Sequence, residues 1–203
     1  VRGEFFKEMY KQFGSQAEYA RFLKTERNCV QGYHYARSWH KGKKVIKFIP
    51  ITALKKSLPY VTPELKEDIE KSVTSIRGRG GNEIKNPKLP FKESPEFFRV
   101  AANLIGDGCD AGHHSPYYSN TCDTLLERFV QDIQVFGEIT WSENINNTGV
   151  SYRSCTKTLS YILKHILRIE FTHPNQLPKQ VFMAKYEERY AFLQALFDDE
   201  GTI

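Results

Sequence analysis

Cysteine is scarce in this sequence. Its 203 residues hold four, Cys29, Cys109, Cys122 and Cys155, and no two form a C-x-x-C pair. That excludes a disulfide-built scaffold and points to a reducing, intracellular setting, with the cytoplasm as the expectation. Long apolar runs are also missing. No stretch approaches the roughly 20 residues that a membrane helix requires, and no leader of the secretory kind opens the sequence. No membrane partner is expected. Apolar residues still make up 40% of the chain and aromatics 13%. That is enough for a core and excludes wholesale disorder.

Acidic charge is what the first part lacks. Residues 1–92 hold 20 Lys/Arg against 9 Asp/Glu, a balance of +11, while residues 93–203 hold 9 against 15, a balance of −6. A basic first part joined to a mildly acidic second part suggests two modules. The basic part would attract a polyanion, nucleic acid above all, or it is only a solvated Lys-rich face.

In the first module Phe5, Phe6, Met9, Tyr10 and Phe13 fall at helical spacing, which predicts a helix over 3–13. Gly14 ends it and Ser15 can cap the next. A second helix runs from Gln16 with Tyr19, Ala20 and Leu23 on one face. Lys24 to Glu26 form a turn, and Arg27 to Arg37 a further helix with Val30 and Tyr33 inward. The spacing of the small Ala20 and the apolar Val30 resembles a helix-turn-helix DNA-binding unit; an ordinary helical bundle is the alternative. Lys24 departs from the family, which usually has Gly in that turn. The resemblance implies that the later helix enters the major groove. Its outward residues Arg27, Asn28, Gln31 and His34 would read bases, and the basic turn with Lys41, Lys43 and Lys44 would follow the phosphates. Val45 to Ile51 reads as a short strand, with a short helix over Ile51 to Leu58 after it. Thr62-Pro63-Glu64 is a clean helix start, the helix running to about Val73. The basic, Gly- and Pro-containing stretch that follows reads as a linker, either a plain tether or one that tracks a phosphate backbone.

The second module carries two similar helices. Ser94-Pro95-Glu96 starts the first, with Phe97, Val100, Ala101, Leu104 and Ile105 as its stripe, and it ends in Ile105-Gly106-Asp107-Gly108. The other has Tyr190, Leu193, Leu196 and Phe197, and it ends in Asp198-Asp199-Glu200-Gly201. Both place small residues on one side (Ala101 and Ala102; Ala195), and both close with an acid followed by Gly. A carboxylate at a helix C-terminus is disfavoured by the helix dipole.

Val100 to Gly108 and Leu193 to Gly201 resemble the two LAGLIDADG motifs of homing endonucleases, their closing acids 93 positions apart. The first departs from the name-giving letters at Asn103 and Ile105. In that family the motif helices pack along their small residues and bring their acids to one spot. The resemblance therefore implies that Asp107 and Glu200 are the catalytic acids and bind Mg²⁺ or Mn²⁺, with main-chain carbonyls of Gly106 and Asp199 completing the coordination. It implies double-stranded DNA as partner, hydrolysis of phosphodiester bonds, and a full-length chain that works as a monomer.

The intervening pattern suits this. Residues around Pro116 to Ser119 alternate polar and aromatic, suggesting strands. Leu125 to Phe136 reads as a helix stopped by Gly137, Glu138 to Trp141 as a strand, Asn146 to Gly149 as a turn, Val150 to Arg153 as a partner strand, and Leu159 to Leu167 as a helix. The expected fold is α+β: a helical helix-turn-helix-like module, then one αββαββα half of the saddle fold and the start of the second. The divisions are 1–75 for the DNA-binding module, 76–93 for the linker, 94–186 for the first half-domain and 187–203 for the second motif helix. In the family the strands lie in the major groove, so Tyr117, Ser119, Tyr152 and Arg153 are candidate readers. Lys157 could stand near the scissile phosphate or be a surface lysine at a helix start. Cys109, His113, His114 and Cys122 fit no common zinc spacing.

Residue 1 is Val, and the sequence stops just past the second acid. The expectation is a fragment of a longer chain, inactive or nearly so by itself. Three rivals share the fold: a DNA-binding regulator without activity, an RNA maturase, and the endonuclease domain of an intein.

Overall fold

The structure, a computed structural model, describes residues 2–23, 51–78, 81–109, 115–147, 149–166 and 177–200. At 2–4, 51–53, 109, 165–166 and 200 it describes the backbone alone. The chain divides into two compact units, Val1–Val73 and Thr74–Ile203.

The first unit is helical: α1 (Arg2–Phe13), α2 (Gln16–Phe22), α3 (Ile51–Ser57), a 3₁₀ turn (Leu58–Tyr60) and α4 (Pro63–Lys71). Local chemistry sets the boundaries. Gly14 takes a positive φ of 75° that ends α1. The Ser15 hydroxyl then accepts from the Glu18 backbone N–H at 3.1 Å and caps α2. Thr62 caps α4 through the Leu65 N–H, with Pro63 at the first position. Phe5, Phe6, Met9, Tyr19, Leu23 and Ile69 form the core. The buried Tyr19 hydroxyl is satisfied by Ser57 Oγ at 2.8 Å. The expected turn from Lys24, the helix carrying Arg27, Asn28, Gln31 and His34, the turn with Lys41, Lys43 and Lys44, and the strand expected before Ile51 lie outside the described residues.

The second unit mixes helix and sheet. Its described elements run α5 (Pro95–Ile105), β3 (Gly108–Cys109), β4 (Tyr117–Ser119), α6 (Asp123–Asp132), β5 (Trp141–Ile145), β6 (Ser151–Cys155) and α7 (Lys157–Ile166). A short α8 (Lys179–Met183) and a long α9 (Tyr186–Glu200) follow. Two strands precede them, β1 (Ser75–Ile76) and β2 (Ile84–Lys85), paired antiparallel. The main sheet is antiparallel in the order β3-β4-β6-β5. Helices cover one of its faces. The core there includes Phe97, Val100, Leu104, Tyr118, Phe129, Phe136, Cys155, Leu159 and Phe192. Among the described residues no helix is long and apolar enough to cross a membrane.

Three differences from the sequence reading have physical causes. The stretch expected as a linker is part of this unit. Ile84 is fully buried in its core, and β2 exchanges backbone hydrogen bonds with Glu138 at 3.1 and 2.8 Å. The Asn82 carbonyl accepts from the hydroxyls of Thr156 (2.7 Å) and Thr158 (2.5 Å). The buried Ile84, the partly buried Ile76 and Phe91 packed against the same core, and main-chain pairing dock a segment that has no hydrophobic period. The expected helix over 125–136 is α-helical to Asp132 and 3₁₀ over Ile133–Phe136. Gly137 stops it with φ +133°, where a Cβ would meet the Lys85 carbonyl at 2.8 Å. The strand expected at 138–141 begins only at Trp141, because Glu138 is engaged with Lys85. Its partner strand begins at Ser151, after the Asn146 to Gly149 turn, where Asn146 N–H donates to the Val150 carbonyl at 3.0 Å.

Candidate active site at the paired helix ends

Helices α5 and α9 make the most extensive contact of any two described elements. Their small residues are the reason. Ala101 and Ala102 of α5 and Ala191 and Ala195 of α9 are all buried, which lets the backbones approach. Ser94 caps the start of α5 by accepting from the Phe97 N–H. At its end the Gly106 N–H bonds the Ala102 carbonyl at 2.8 Å, and the chain turns sharply. A Cβ on Gly108 would stand 2.4 Å from Leu104 Cα, so only glycine fits that turn. At Gly106 a Cβ would stand 3.0 Å from Asp199 Oδ2 and 3.1 Å from Asp199 Cβ. The end of α5 and the last turn of α9 therefore meet at this glycine.

Around the meeting point lies an open cleft of about 280 Å³, lined by Asp107, Ser119, Asn120, Thr121, Val150, Asp198 and Asp199. Two helix C-termini and their acids face one region, which concentrates negative charge. Asp199 carries the clearest mark of it. Burial pushes its carboxyl up from 3.8 to about 6; hydrogen bonds from Tyr118 and Asn103 oppose the shift, and the charges of Asp107 and Asp198 add to it. Tyr118 O–H donates to Asp199 Oδ1 at 2.5 Å, and Asn103 Nδ2 donates to Oδ2 at 3.1 Å. Burial raises the Tyr118 phenol as well, and the negative Asp199 it touches raises it further. Asp107 is held by residues at and just past the end of β4. Asn120 Nδ2 donates to its Oδ2 at 3.1 Å, and Ser119 Oγ donates to its main-chain carbonyl at 2.9 Å.

No protein-family model matches the chain, and no curated protein matches it either. The functional reading therefore rests on residues and geometry.

The site residues expected from sequence fall into three groups. Asp107 and Gly106 stand at the end of α5, and Asp199 lies against them. Glu200 is the last residue of α9; its side chain lies outside the description. Asp199, expected to act through its main-chain carbonyl, brings its side chain into the cleft wall and hydrogen-bonds there. Sequence reasoning missed Asn103, Tyr118 and Asn120. One signal was available: Asn103 is a polar residue buried beside Ala102 and Leu104 in the apolar second half of α5.

The sheet readers need one correction. Tyr117, Ser119 and Tyr152 lie on the half-exposed face of the sheet, the first and last with rings 5.1 Å apart. Arg153 pairs across the strands with the buried Tyr118 and so points to the helix-covered side. It is buried, bonded to Glu143 at 3.1 Å, and stacked on Trp141 at 5.6 Å. Alternation along β6 decides this: Tyr152 and Ser154 take one face, Arg153 and Cys155 the other. On the half-exposed face the sequence reading missed Ser142, Asn144 and Ser154. Ser142 Oγ lies 2.7 Å from Ser154 Oγ, and Asn144 Nδ2 donates to both hydroxyls at 3.2 and 3.3 Å.

Lys157 opens α7, partly buried and against Gly81. The Cys109 side chain and both His113 and His114 lie outside the description, and Cys122 is exposed. Among the described residues no three His, Cys, Asp or Glu side chains converge as a metal cage. The polar side chains the cleft presents are carboxylates, hydroxyls and an amide. Oxygen donors with crowded negative charge suit a hard divalent cation such as Mg²⁺ or Mn²⁺ and not a soft thiophilic one.

Proposed function

We propose that this chain is a metal-dependent DNA endonuclease of the LAGLIDADG type. The observation that carries the reading is the pairing of α5 with α9. Two helices whose closing acids lie 93 positions apart in sequence pack along their alanines and end at one acid-lined cleft. The order α5-β3-β4-α6-β5-β6-α7 adds support, since it is the αββαββα order of one half of that family's saddle fold. So does the half-exposed sheet face of tyrosine, serine and asparagine side chains beside the cleft, which offers donors, acceptors and rings to the edges of bases.

In this reading Asp107 and Glu200 would hold the cation, together with the main-chain carbonyls of Gly106 and Asp199. The bound cation supplies a lowered water pKa and neutralises charge on the scissile phosphate. The chain's own residues do the rest. Asn120 orients the Asp107 carboxylate, Ser119 ties down the backbone at Asp107, and the sheet face sets the DNA register. Both motifs stand in one chain, so one copy carries both acids and a monomer suffices. The basic helical unit adds affinity for the phosphate backbone.

The test uses the protein expressed from its complete reading frame, with DNA of its own locus, intact and with the coding insert removed, in Mg²⁺ or Mn²⁺. The expected result is cutting of the insert-free site alone, abolished by Asp107→Asn and by Glu200→Gln. Tight binding without cutting in either metal overturns the endonuclease reading and favours a regulator or maturase.

A further inference from the structure

Asp107 and Asp199, acids of the two motif helices, are joined by a chain of hydrogen bonds that passes through Tyr118 and Asn120, outside both motifs. It starts at Asn103 on α5, whose Nδ2 donates to Asp199 Oδ2 at 3.1 Å and Oδ1 at 3.4 Å. It passes to Tyr118 on β4, whose O–H donates to Asp199 Oδ1 at 2.5 Å. Asn120 Nδ2 donates to the Tyr118 oxygen at 3.2 Å and to Asp107 Oδ2 at 3.1 Å. The other end of the Asn120 amide accepts from the Cys122 N–H at 2.9 Å.

This arrangement leaves the Asn120 amide one orientation. A carboxylate only accepts, so the Tyr118 proton must go to Asp199. The phenol oxygen then has only lone pairs to offer Asn120. The NH₂ group must face both that oxygen and Asp107, and the amide carbonyl must face Cys122. Flipping the amide would set oxygen against oxygen twice and leave the Cys122 N–H without its acceptor.

Asp199 itself is committed. Donors from two different elements hold its two oxygens.

We propose that Tyr118 and Asp199 are positioning residues for the cation site. Asp199 anchors the Tyr118 hydroxyl, Tyr118 fixes the Asn120 amide, and Asn120 sets the Asp107 carboxylate. Asp199 serves through its side chain as an anchor and not as a cation ligand. The consequence is mechanical. Asp199 belongs to α9 and Asp107 to the end of α5, so the Asp107 carboxylate is correctly aimed only when the two helices are in register. The inference rests on the reading of the cleft as a divalent-cation site.

The experiment measures Mn²⁺ binding, with no DNA present, by calorimetry, alongside thermal unfolding in chelator. Tyr118→Phe keeps the ring and removes only the hydroxyl. It is expected to weaken Mn²⁺ binding roughly 10- to 100-fold, the usual cost of losing a group that orients a metal ligand. Asn120→Ala should do the same, and the double variant should be no worse than either single change, since both break one chain. Asp199→Asn retains an oxygen that accepts from Tyr118 and should stay within about 3-fold of the parent, whereas Asp199→Ala should fall as far as Tyr118→Phe.

A purely structural Tyr118 would lower the unfolding temperature and leave Mn²⁺ affinity unchanged. That result, with binding still abolished by Asp107→Asn, overturns the positioning role and leaves the cation site standing. Loss of binding in Asp199→Asn equal to that in Asp107→Asn makes Asp199 a ligand and overturns its role as anchor. A parent protein that binds no Mn²⁺, or binds it as well after Asp107→Asn, removes the cation site and this inference together.

Discussion

Gly106 and Asp199 touch at the one point where the two long helices end together. A methyl group on Gly106 would sit 3.0 Å from the Asp199 carboxylate oxygen and 3.1 Å from its Cβ. Neither neighbour can yield freely, since Asp199 is held by Tyr118 and Asn103. A side chain at position 106 would thus have to push the acid opposite it by a few tenths of an ångström, although the glycine's own φ is an ordinary −72°.

Gly106→Ala should therefore act as overpacking. It is expected to cost about 1–3 kcal/mol in stability, read from urea unfolding. It should also weaken Mn²⁺ binding, because relief requires the end of α9 to move away. Unchanged stability and affinity would show that the helix ends have slack.

The raised carboxyl of Asp199 makes a pH prediction. Its folded-state value of about 6 lies above the ordinary 3.8. The stability it contributes is fully present below about 3.8 and is lost as pH rises through about 6. In chelator, melting temperature should fall across that window, by an amount that solvent screening of the partly exposed carboxyl keeps to about 1 kcal/mol. Asp199→Asn should flatten that part of the profile. An identical slope in parent and variant would place the titration elsewhere.

The α5–α6 contact rests on a bidentate ion pair. Arg99 Nε and Nη2 donate to the two Asp132 oxygens at 2.7 and 2.8 Å, and both side chains are largely buried. Arg99→Leu leaves the Asp132 charge buried and alone and should cost about 3–5 kcal/mol. Replacing both residues with apolar side chains of similar volume should recover most of that. Denaturant titration of the single and double variants measures it.

The two sheet faces separate binding from folding. Tyr152→Ala and Asn144→Ala should each lower affinity for a DNA duplex by about 1–3 kcal/mol in fluorescence anisotropy at fixed salt. Stability should shift little. Arg153→Ala should do the reverse, lowering the melting temperature and leaving the affinity of the folded protein in place. Arg153→Ala weakening DNA binding without loss of stability would falsify the assignment of Arg153 to the covered face.

Much of both units is legible in the sequence because the signals are local. Ser15, Thr62 and Ser94 mark helix starts through bonds made three residues away. The stripes on α5 and α6, the turn at Asn146 to Gly149 and the mixed helix–sheet class are all periodic or short-range features. The likeness of the two closing acid-Gly segments is also visible by inspection. Other features depend on partners distant in the chain. Asp199 meets Tyr118 across 81 positions and Asn103 across 96, and no local pattern encodes those distances. Arg153 was misplaced because its face depends on strand register, and one residue of shift sends a side chain to the opposite side. The basic stretch around Ile84 reads as a tether because its scattered apolar residues have no period, yet Ile84, Ile76 and Phe91 pack on the core and the Glu138 backbone pairs with it. By itself the sequence determined the helices, their caps and the two acid-bearing ends. Only the tertiary structure decided which polar groups would hold those acids, because the groups lie on separate elements and meet only when the helices pack against the sheet.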